Sequence, residues 1–514
     1  MGSITDDKWT KISLDLTDAP DNFENWQNLA KISSQNLNKL SKEPELERFR
    51  VSYNQLLFRY PNLEQYWINY SKLEFKLGFT DNSLRIYEQS LTVLPSSLLI
   101  WTEYLKFLTH KIGLPYDELI KYYQRAEMKV GTHYHSYEFW EQYLNFEEKF
   151  NGRSIYYFNL FKKVIEIPTY HYAELFNKFL KEIEDLDNKT VHKIINKSEL
   201  SKKFKLELRP NEHFSKEALS DLKIKLKKIY TDTYITTQFR SYEIFRYEGG
   251  IKFEYFVPNL YKSYQELTNW EQYLDFVELT ATSTFQDIEN IYERCLISCC
   301  SYPQFWLKFA NFYLKNQQFE SAKNLLNKSI VYLNETNSIE IYKKLINIEL
   351  KLRNYYKAKD ITIMLIEYSK EVNVELYFKL VDIIYLLNFK KLDKFKTFFK
   401  DLINHESHPI EIQNALLIYL FNNYKSPQIH SLNFLNELNL DGQFNQFLNF
   451  NMLKLNMMLT NSQISEVSEE FQKISKQFTD SKDQNKLYQW YDTYLSYIEQ
   501  DVTKLYMLNV ELNE

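Results

Sequence analysis

The chain has 514 residues, a formal net charge of −5, 8 Gly, 11 Pro and an aromatic content of 17%. That length exceeds what one compact core fills, so two or more domains or one long array are expected. A slightly acidic chain is a poor match to a protein whose main task is gripping a phosphate backbone. Its three cysteines, Cys295, Cys299 and Cys300, fall too close together for a disulfide framework and point to a reducing compartment.

The N-terminal residues Met1 to Thr10 carry Asp6, Asp7 and Lys8 and no apolar signal region. No apolar run approaches the roughly 18 residues of a membrane span, so a soluble intracellular protein without membrane contact is expected. In chain order, Trp26 and Leu29 suggest a degenerate first helical unit. A full hairpin follows from Tyr66 to Leu94, with Trp67, Tyr70 and Glu74 on its first helix, Gly78 at the turn and Pro95 closing it. Trp101 and Tyr104 open the next, which runs to Ala126 across Gly113 and Pro115. Trp140, Tyr143 and Glu147 open a third that ends before Pro168, and Tyr172 to Ile183 reads as one more helix. Positions i, i+3 and i+7 share one helical face, so each match marks a helix with an aromatic stripe aimed at a neighbour. Pro61 and Pro95 each stand six residues ahead of a repeat Trp, where a proline stops one helix and lets the chain reverse.

From Asn188 to Tyr261 the pattern lapses and basic residues collect, among them Lys202, Lys203, Lys205 and Arg209. Arg209-Pro210-Asn211 reads as a break and Ser215 to Phe245 as a long helix bearing Lys223, Lys225, Lys227 and Lys228. The pattern resumes at Trp270 and Tyr273, then at Trp306 and Phe309. Ile341 takes the Trp position of the following pair. Beyond Leu376 the repeats blur into apolar helices, as terminal repeats often do. The expected architecture is all-α: a solenoid of helical hairpins in two blocks. Residues 20–185 form the first block, 186–262 a basic connector, and 263–514 a second block with a degenerate end.

The aromatic stripe could stack bases, but its strict spacing favours packing between helices. Glu74 and Glu147 share the stripe, so each needs a tyrosine hydroxyl or an Arg from an adjoining helix. Cys295, Cys299 and Cys300 lack a second pair and a His at ligand spacing, so no zinc site closes, and buried packing is expected. His133 and His135 stand two residues apart and are expected at the surface. The chain holds no Gly-rich phosphate loop, no Gly-x-Ser-x-Gly elbow and no His-Glu-x-x-His. No catalytic residue, metal ligand or cofactor site is assigned. The four lysines of the long helix are read as a solvated face, with an RNA-facing or nuclear-import patch as the functional alternative.

Trp-x-x-Tyr-x-x-x-Glu on one helix, with Ile291-Tyr292-Glu293-Arg294-Cys295-Leu296 on the next, resembles the half-a-TPR (HAT) repeat, found largely in RNA-processing assemblies. A narrower resemblance spans Arg240 to Phe309. It rests on Arg240 with Glu243, Gly250-Ile251-Lys252 followed by Tyr255-Phe256, Asn269-Trp270 with Tyr273-Leu274, and Glu293 to Cys299. These residues are similar to the pre-mRNA-processing factor 39 family and its paralogue, factor 42. The resemblance implies a nuclear, non-catalytic scaffold of the U1 small nuclear ribonucleoprotein (U1 snRNP) that supports 5′ splice-site recognition in pre-mRNA splicing. It also implies a homodimer or heterodimer through the C-terminal block, contacts with U1 snRNP proteins, and mostly indirect contact with U1 RNA or pre-mRNA. Val277 departs from the repeat, which wants Glu there. The alternatives are a HAT scaffold of the mRNA 3′-end cleavage machinery, or direct RNA binding through the connector.

Overall fold

Apolar and aromatic residues three and four positions apart, with Pro and Gly kept to the intervals, produce helices that pair as antiparallel hairpins. The computed structural model describes residues 2–35, 37–194, 215–333, 335–368, 373–404, 409–439, 442–460, 464–478 and 481–513. Among them every regular element is helical. Lys197, Lys202, Lys203, Lys205 and the Arg209-Pro210-Asn211 break lie outside the described residues.

The chain folds into two compact units, Met1–Phe309 with Val331–Leu333, and Ala310–Ile330 with Asn334–Glu514. The first contains α1 (Gly2–Asp18), α2 (Phe23–Ser34), α3 (Glu43–Arg59), α4 (Glu64–Leu77) and α5 (Thr80–Val93). It continues with α6 (Leu98–Phe107), α7 (Tyr116–Val130), α8 (Tyr137–Asn151), α9 (Ile155–Ile165), α10 (Tyr172–Glu184) and the short α11 (Val191–Ile194). The long α12 (Lys216–Glu248), α13 (Tyr264–Leu279) and α14 (Phe285–Cys299) complete it, and α15 (Pro303–Lys315) straddles the division.

The second unit runs through α16 (Phe319–Ser329), α17 (Glu335–Lys351), α18 (Tyr355–Tyr368), α19 (Val374–Leu387), α20 (Leu392–Ile403) and α21 (Ile410–Asn423). It closes with α22 (Leu432–Leu438), α23 (Leu448–Thr460), α24 (Ile464–Ser475), α25 (Ser481–Tyr494) and α26 (Val502–Asn513). No described helix is long and apolar enough to cross a membrane.

Two differences from the sequence reading concern the first unit. The degenerate start is a complete hairpin, α2 with α3, whose Trp26, Leu29, Phe49, Tyr53 and Leu56 share one buried cluster with Ile86 of α5. The helix expected as a connector lies along α10: Phe176 meets Tyr234 at 4.6 Å between ring centroids and Phe179 meets Tyr230 at 4.8 Å. Leu222 and Leu226 of α12 enter the same core as Trp101 and Trp140. Gly78 ends α4 in the left-handed region at φ +99°, which a side chain would strain.

Candidate interaction groove

The repeat residues form the internal fastening of the array. Trp101, Trp140, Trp270 and Trp306 are essentially fully buried, while Trp67 is half-buried. Four indoles donate to a backbone carbonyl six residues upstream: Trp26 to Pro20, Trp67 to Pro61, Trp101 to Pro95 and Trp306 to Cys300, at 2.8–2.9 Å. Each bond closes the turn that leads into the Trp-bearing helix while satisfying the indole donor. Trp140 reaches instead to the Gly131 carbonyl, nine residues back, because the turn before α8 is longer. Trp270 has no hydrogen-bond partner for its indole and lies against the Arg294 guanidinium at 5.7 Å.

The tyrosines three residues on stack against the preceding hairpin. Tyr70 pairs with Tyr53 (5.1 Å), Tyr104 with Tyr87 (4.8 Å), Tyr143 with Tyr123 (4.8 Å), Tyr273 with Tyr247 (5.3 Å) and Phe309 with Tyr292 (4.7 Å). Glu74 accepts from Arg50 Nε at 2.8 Å and Nη2 at 3.1 Å. Glu147 accepts from the Tyr116 hydroxyl at 3.0 Å and from Asn151 at 3.1 Å. Burial, then the hydrogen bond to Glu147, pushes Tyr116 up to about 12. These rings face one another and leave no platform open to a ligand.

Along one edge of the array the returning chain meets the turns between hairpins. Thr237 and Ser241 of α12 donate to the carbonyls of Ile165 and Thr169, both at 3.0 Å. Asn290 of α14 donates to the Met128 carbonyl at 2.7 Å, and Lys129 bonds Glu293 at 3.1 Å. Ser96 also donates to Glu293, and Asn62 spans the carbonyls of Leu296 and Ile297 at 2.9 Å. Gly250 is tightly packed here: a Cβ would stand 2.8 Å from the Asn269 side chain, which donates to the Tyr247 carbonyl and would have to shift. The segment from Arg240 to Phe309 that carries the narrow resemblance thus supplies Ser241, Asn290, Glu293 and the Leu296 and Ile297 carbonyls to the seam that seals the first unit.

At its centre lies Arg294, 4% exposed, donating to Glu248 at 2.6 and 2.7 Å and to Glu254 at 2.7 Å. Tyr273 donates to Glu248 at 2.8 Å. His133 and His135 both approach this node, their Nε2 atoms 4.0 and 3.3 Å from Glu254; His135 lies at the surface as expected, and His133 does not. They occupy the longer turn before α8, not a helix, and the His133 side chain is only 8% exposed. Burial, reinforced by Arg294, holds His133 well below the ordinary histidine range. Arg294 and the histidines overcome burial to hold Glu254 below the usual carboxylate range. His135, Glu248 and Glu254 bring potential metal ligands within 4.8 Å of one another. Arg294 bridges both carboxylates.

Beside this node opens a cavity of about 540 Å³, lined by Phe23, Glu64, Tyr66, Leu99, Tyr255, Phe256 and Arg294 among others. Glu64, in the first turn of α4, accepts from Ser97 Oγ. Ser97 in turn caps α6 by accepting from the Ile100 N–H at 3.2 Å. Burial raises the Glu64 carboxyl to about 7, with Ser97 opposing and Glu254 adding to the rise. Sequence reasoning passed over Glu64 because an acid in a first helical turn is ordinary. Its neighbours come from turns remote in the chain.

The four lysines of α12 do not gather on one face. Lys223 donates to the Glu184 carbonyl at 2.6 Å and Lys227 pairs with the Glu184 side chain at 2.5 Å, whereas Lys225 and Lys228 are exposed. Cys295, Cys299 and Cys300 are buried and unbridged, and burial pushes the Cys300 thiol up to about 12. Val277 is 7% exposed, an apolar residue in the core where the repeat pattern has Glu.

A family model described as the PRP39 N-terminal HAT repeat matches residues 10–181, and one described as the PRP39 C-terminal HAT repeat matches 242–384. The U1 small nuclear ribonucleoprotein component PRP42 of Saccharomyces cerevisiae is 29% identical over 383 residues, 72% of this chain and 69% of that protein. Pre-mRNA-processing factor 39 of Schizosaccharomyces pombe is 28% identical over 59% of this chain and 51% of its own length. The human factor 39 is 23% identical over 60% and 48%. The chain thus spans about half the length of these two factor 39 relatives. A crystal structure of CstF-77 aligns with 87% of both chains at 12% identity and a TM-score of 0.43.

Proposed function

The chain belongs to the PRP39 family of HAT-repeat proteins, and from that premise we propose that it is a non-catalytic scaffold subunit of the U1 snRNP. In this reading it works in the nucleus, supporting 5′ splice-site recognition by bridging core and auxiliary U1 proteins. The observation that carries the reading is the similarity to the U1 component PRP42 across 72% of this chain, with both family repeat blocks matched in order. The arrangement supports a geometric mechanism: repeat aromatics are spent on internal fastening, so the outer faces of the helices are what other polypeptides can reach.

Dimerisation through the C-terminal end belongs to the same proposal. Val502, Tyr506 and Val510, at four-residue intervals on α26, are 77%, 70% and 41% exposed, and nearby Tyr497 is 78% exposed. An uncovered apolar stripe of this kind suits a second copy or a paralogue. RNA contact is expected to be mostly indirect, since two of the four α12 lysines are already engaged with Glu184.

Immunoprecipitation of the full chain from nuclear extract tests the assignment. U1 RNA and its proteins are the expected companions; recovery of 3′-end cleavage factors without U1 RNA would overturn it. Mass measurement in solution should give a dimer that Val502→Asp with Tyr506→Asp converts to monomer.

A further inference from the structure

The cavity beside Arg294 is amphipathic in a specific way. Its rim is apolar, with Leu99 43% exposed and Tyr255 52% exposed. Three carboxylates line it, and two have cations: Glu254 has Arg294 and His135, and Glu138 has Lys106. Glu64 is the exception. Its hydrogen-bond donor is a neutral hydroxyl, Ser97, and no ion pair to it is formed among the described residues. Ser97 from the turn before α6 bonds it and Glu254 from the segment after α12 acts on it. The other acidic or basic side chains lining the cavity are Glu138 of α8, His133 from the turn before α8, and Arg294 of α14, which is engaged with Glu248 and Glu254. A partly desolvated carboxylate without a counter-ion is costly, and an arriving cation would relieve that cost.

We propose that this groove is a docking site for an extended segment of a partner protein that sets a Lys or Arg on Glu64 and lays flanking apolar side chains on Leu99 and Tyr255. The uncompensated carboxylate chooses the sign of the ligand, and the apolar rim chooses a polypeptide over a polyphosphate. Nucleic acid is disfavoured because its phosphates would face Glu64 and Glu138. The inference deepens the scaffold reading by naming the chemistry of one partner contact, and it rests on that reading only for the partner's being a protein.

The carboxyl must ionise to pair with a cation, and its value near 7 makes docking pH-dependent. Between pH 6 and pH 8 the ionised fraction of such a group rises about tenfold, so apparent affinity should rise by a similar factor.

The test is selection of a displayed random nonapeptide library on the immobilised full chain, then titration of the best peptide at pH 6 and pH 8. Selected sequences should share a Lys or Arg beside aromatic or aliphatic residues. Glu64→Gln, which keeps the shape and an acceptor for Ser97, should weaken binding at least tenfold at pH 8 and remove the pH step. Any contribution from His133 or His135 would survive in that variant and be read separately. Leu99→Arg, at an exposed position, should also block binding while thermal unfolding stays unchanged. Selection of acidic or purely apolar peptides, binding unaffected by Glu64→Gln, or preferential binding of an oligouridylate probe would each overturn the proposal. These readouts do not depend on U1 association, so failure of either test leaves the other standing.

Discussion

The two compact units build hairpins of similar length but fasten them differently. In the first, the indole N–H groups of Trp67, Trp101 and Trp140 reach back to turn carbonyls and aromatic rings stack across the junctions, so all of its repeat Trp positions but Trp270 carry a directional bond. In the second, Ile341 fills the Trp position and is fully buried, and Leu416, Leu417, Leu420 and Phe421 of α21 pack in an aliphatic and aromatic core. Polar anchoring there includes Asp382, which accepts from Tyr419 at 2.9 Å and from Tyr424, and a Trp490 indole that donates to the Asn456 side chain and not to a turn carbonyl. Apolar burial is non-directional, so many residues satisfy it, whereas a hydrogen bond aimed at one carbonyl fixes a spacing. The sequence period is therefore sharp where direction is needed and blurred where volume suffices.

The largest expected effects test whether the first unit depends on its buried polar node. Arg294→Met leaves the buried Glu248 without its cation and the more exposed Glu254 with only the histidines beside it, and should destabilise the first unit by about 3–5 kcal/mol. Asp382→Asn in the second unit keeps an acceptor for both phenols and should cost only about 0.5–1.5 kcal/mol. Urea unfolding followed separately in the two units would check this, and equal losses would erase the contrast.

Conservative exchanges at the repeat position probe direction against volume. Trp101→Phe removes the N–H that closes on Pro95 and part of the ring, with an expected loss of about 2–3 kcal/mol. Ile341→Leu conserves volume and has no directional bond to lose, so a loss below about 1.5 kcal/mol is expected. A cost at Ile341 matching that at Trp101 would show that shape alone sets both registers.

Glu64→Gln runs in the opposite direction, toward greater stability. Because burial raises the folded-state carboxyl to about 7, Glu64 favours the fold below its ordinary value near 4.5, and that contribution is lost as pH rises toward 7. Glu64→Gln should therefore stabilise the protein at pH 8 by about 1–2 kcal/mol and change little at pH 4. His133 has the reverse sign: held below its ordinary value, it favours the fold above about 6.5 and loses that contribution as pH falls. In the Glu64→Gln variant the loss on acidification from pH 7 to 5 should consequently be steeper than in the parent, as thermal melts across that range would show.

The array from Tyr66 to Ile183 was legible because Trp and Tyr recur at helical spacing and Pro61 and Pro95 punctuate it. The same prolines also held the signal for the indole bonds, since a residue fixed six places before each Trp marks a fixed carbonyl. Helix α3 was equally periodic, with Leu46, Phe49, Tyr53 and Leu56, but has no Trp to draw notice. The node at Arg294 was not legible. His133, Glu248, Glu254 and Arg294 come together only because the chain returns along the hairpin turns, and no local pattern records a closure over that separation. Glu64 was hidden for the same reason.

The smallest effect is expected where the sequence concentrates positive charge. Lys227 and Glu184 are 35% and 59% exposed, and such pairs exchange protein contacts for water at little net gain. Hydrogen bonding to Lys227 holds the Glu184 carboxyl below its ordinary range, yet solvent screens the pair and salt weakens it further. Replacing Lys223, Lys225, Lys227 and Lys228 together by Ala should leave the unfolding profile of the first unit unchanged within error, because α12 is held through Leu222, Leu226, Tyr230 and Tyr234 against its core. A loss as large as that from Trp101→Phe would mean that surface charge fastens this unit, and the contrast drawn from its buried directional bonds would fail.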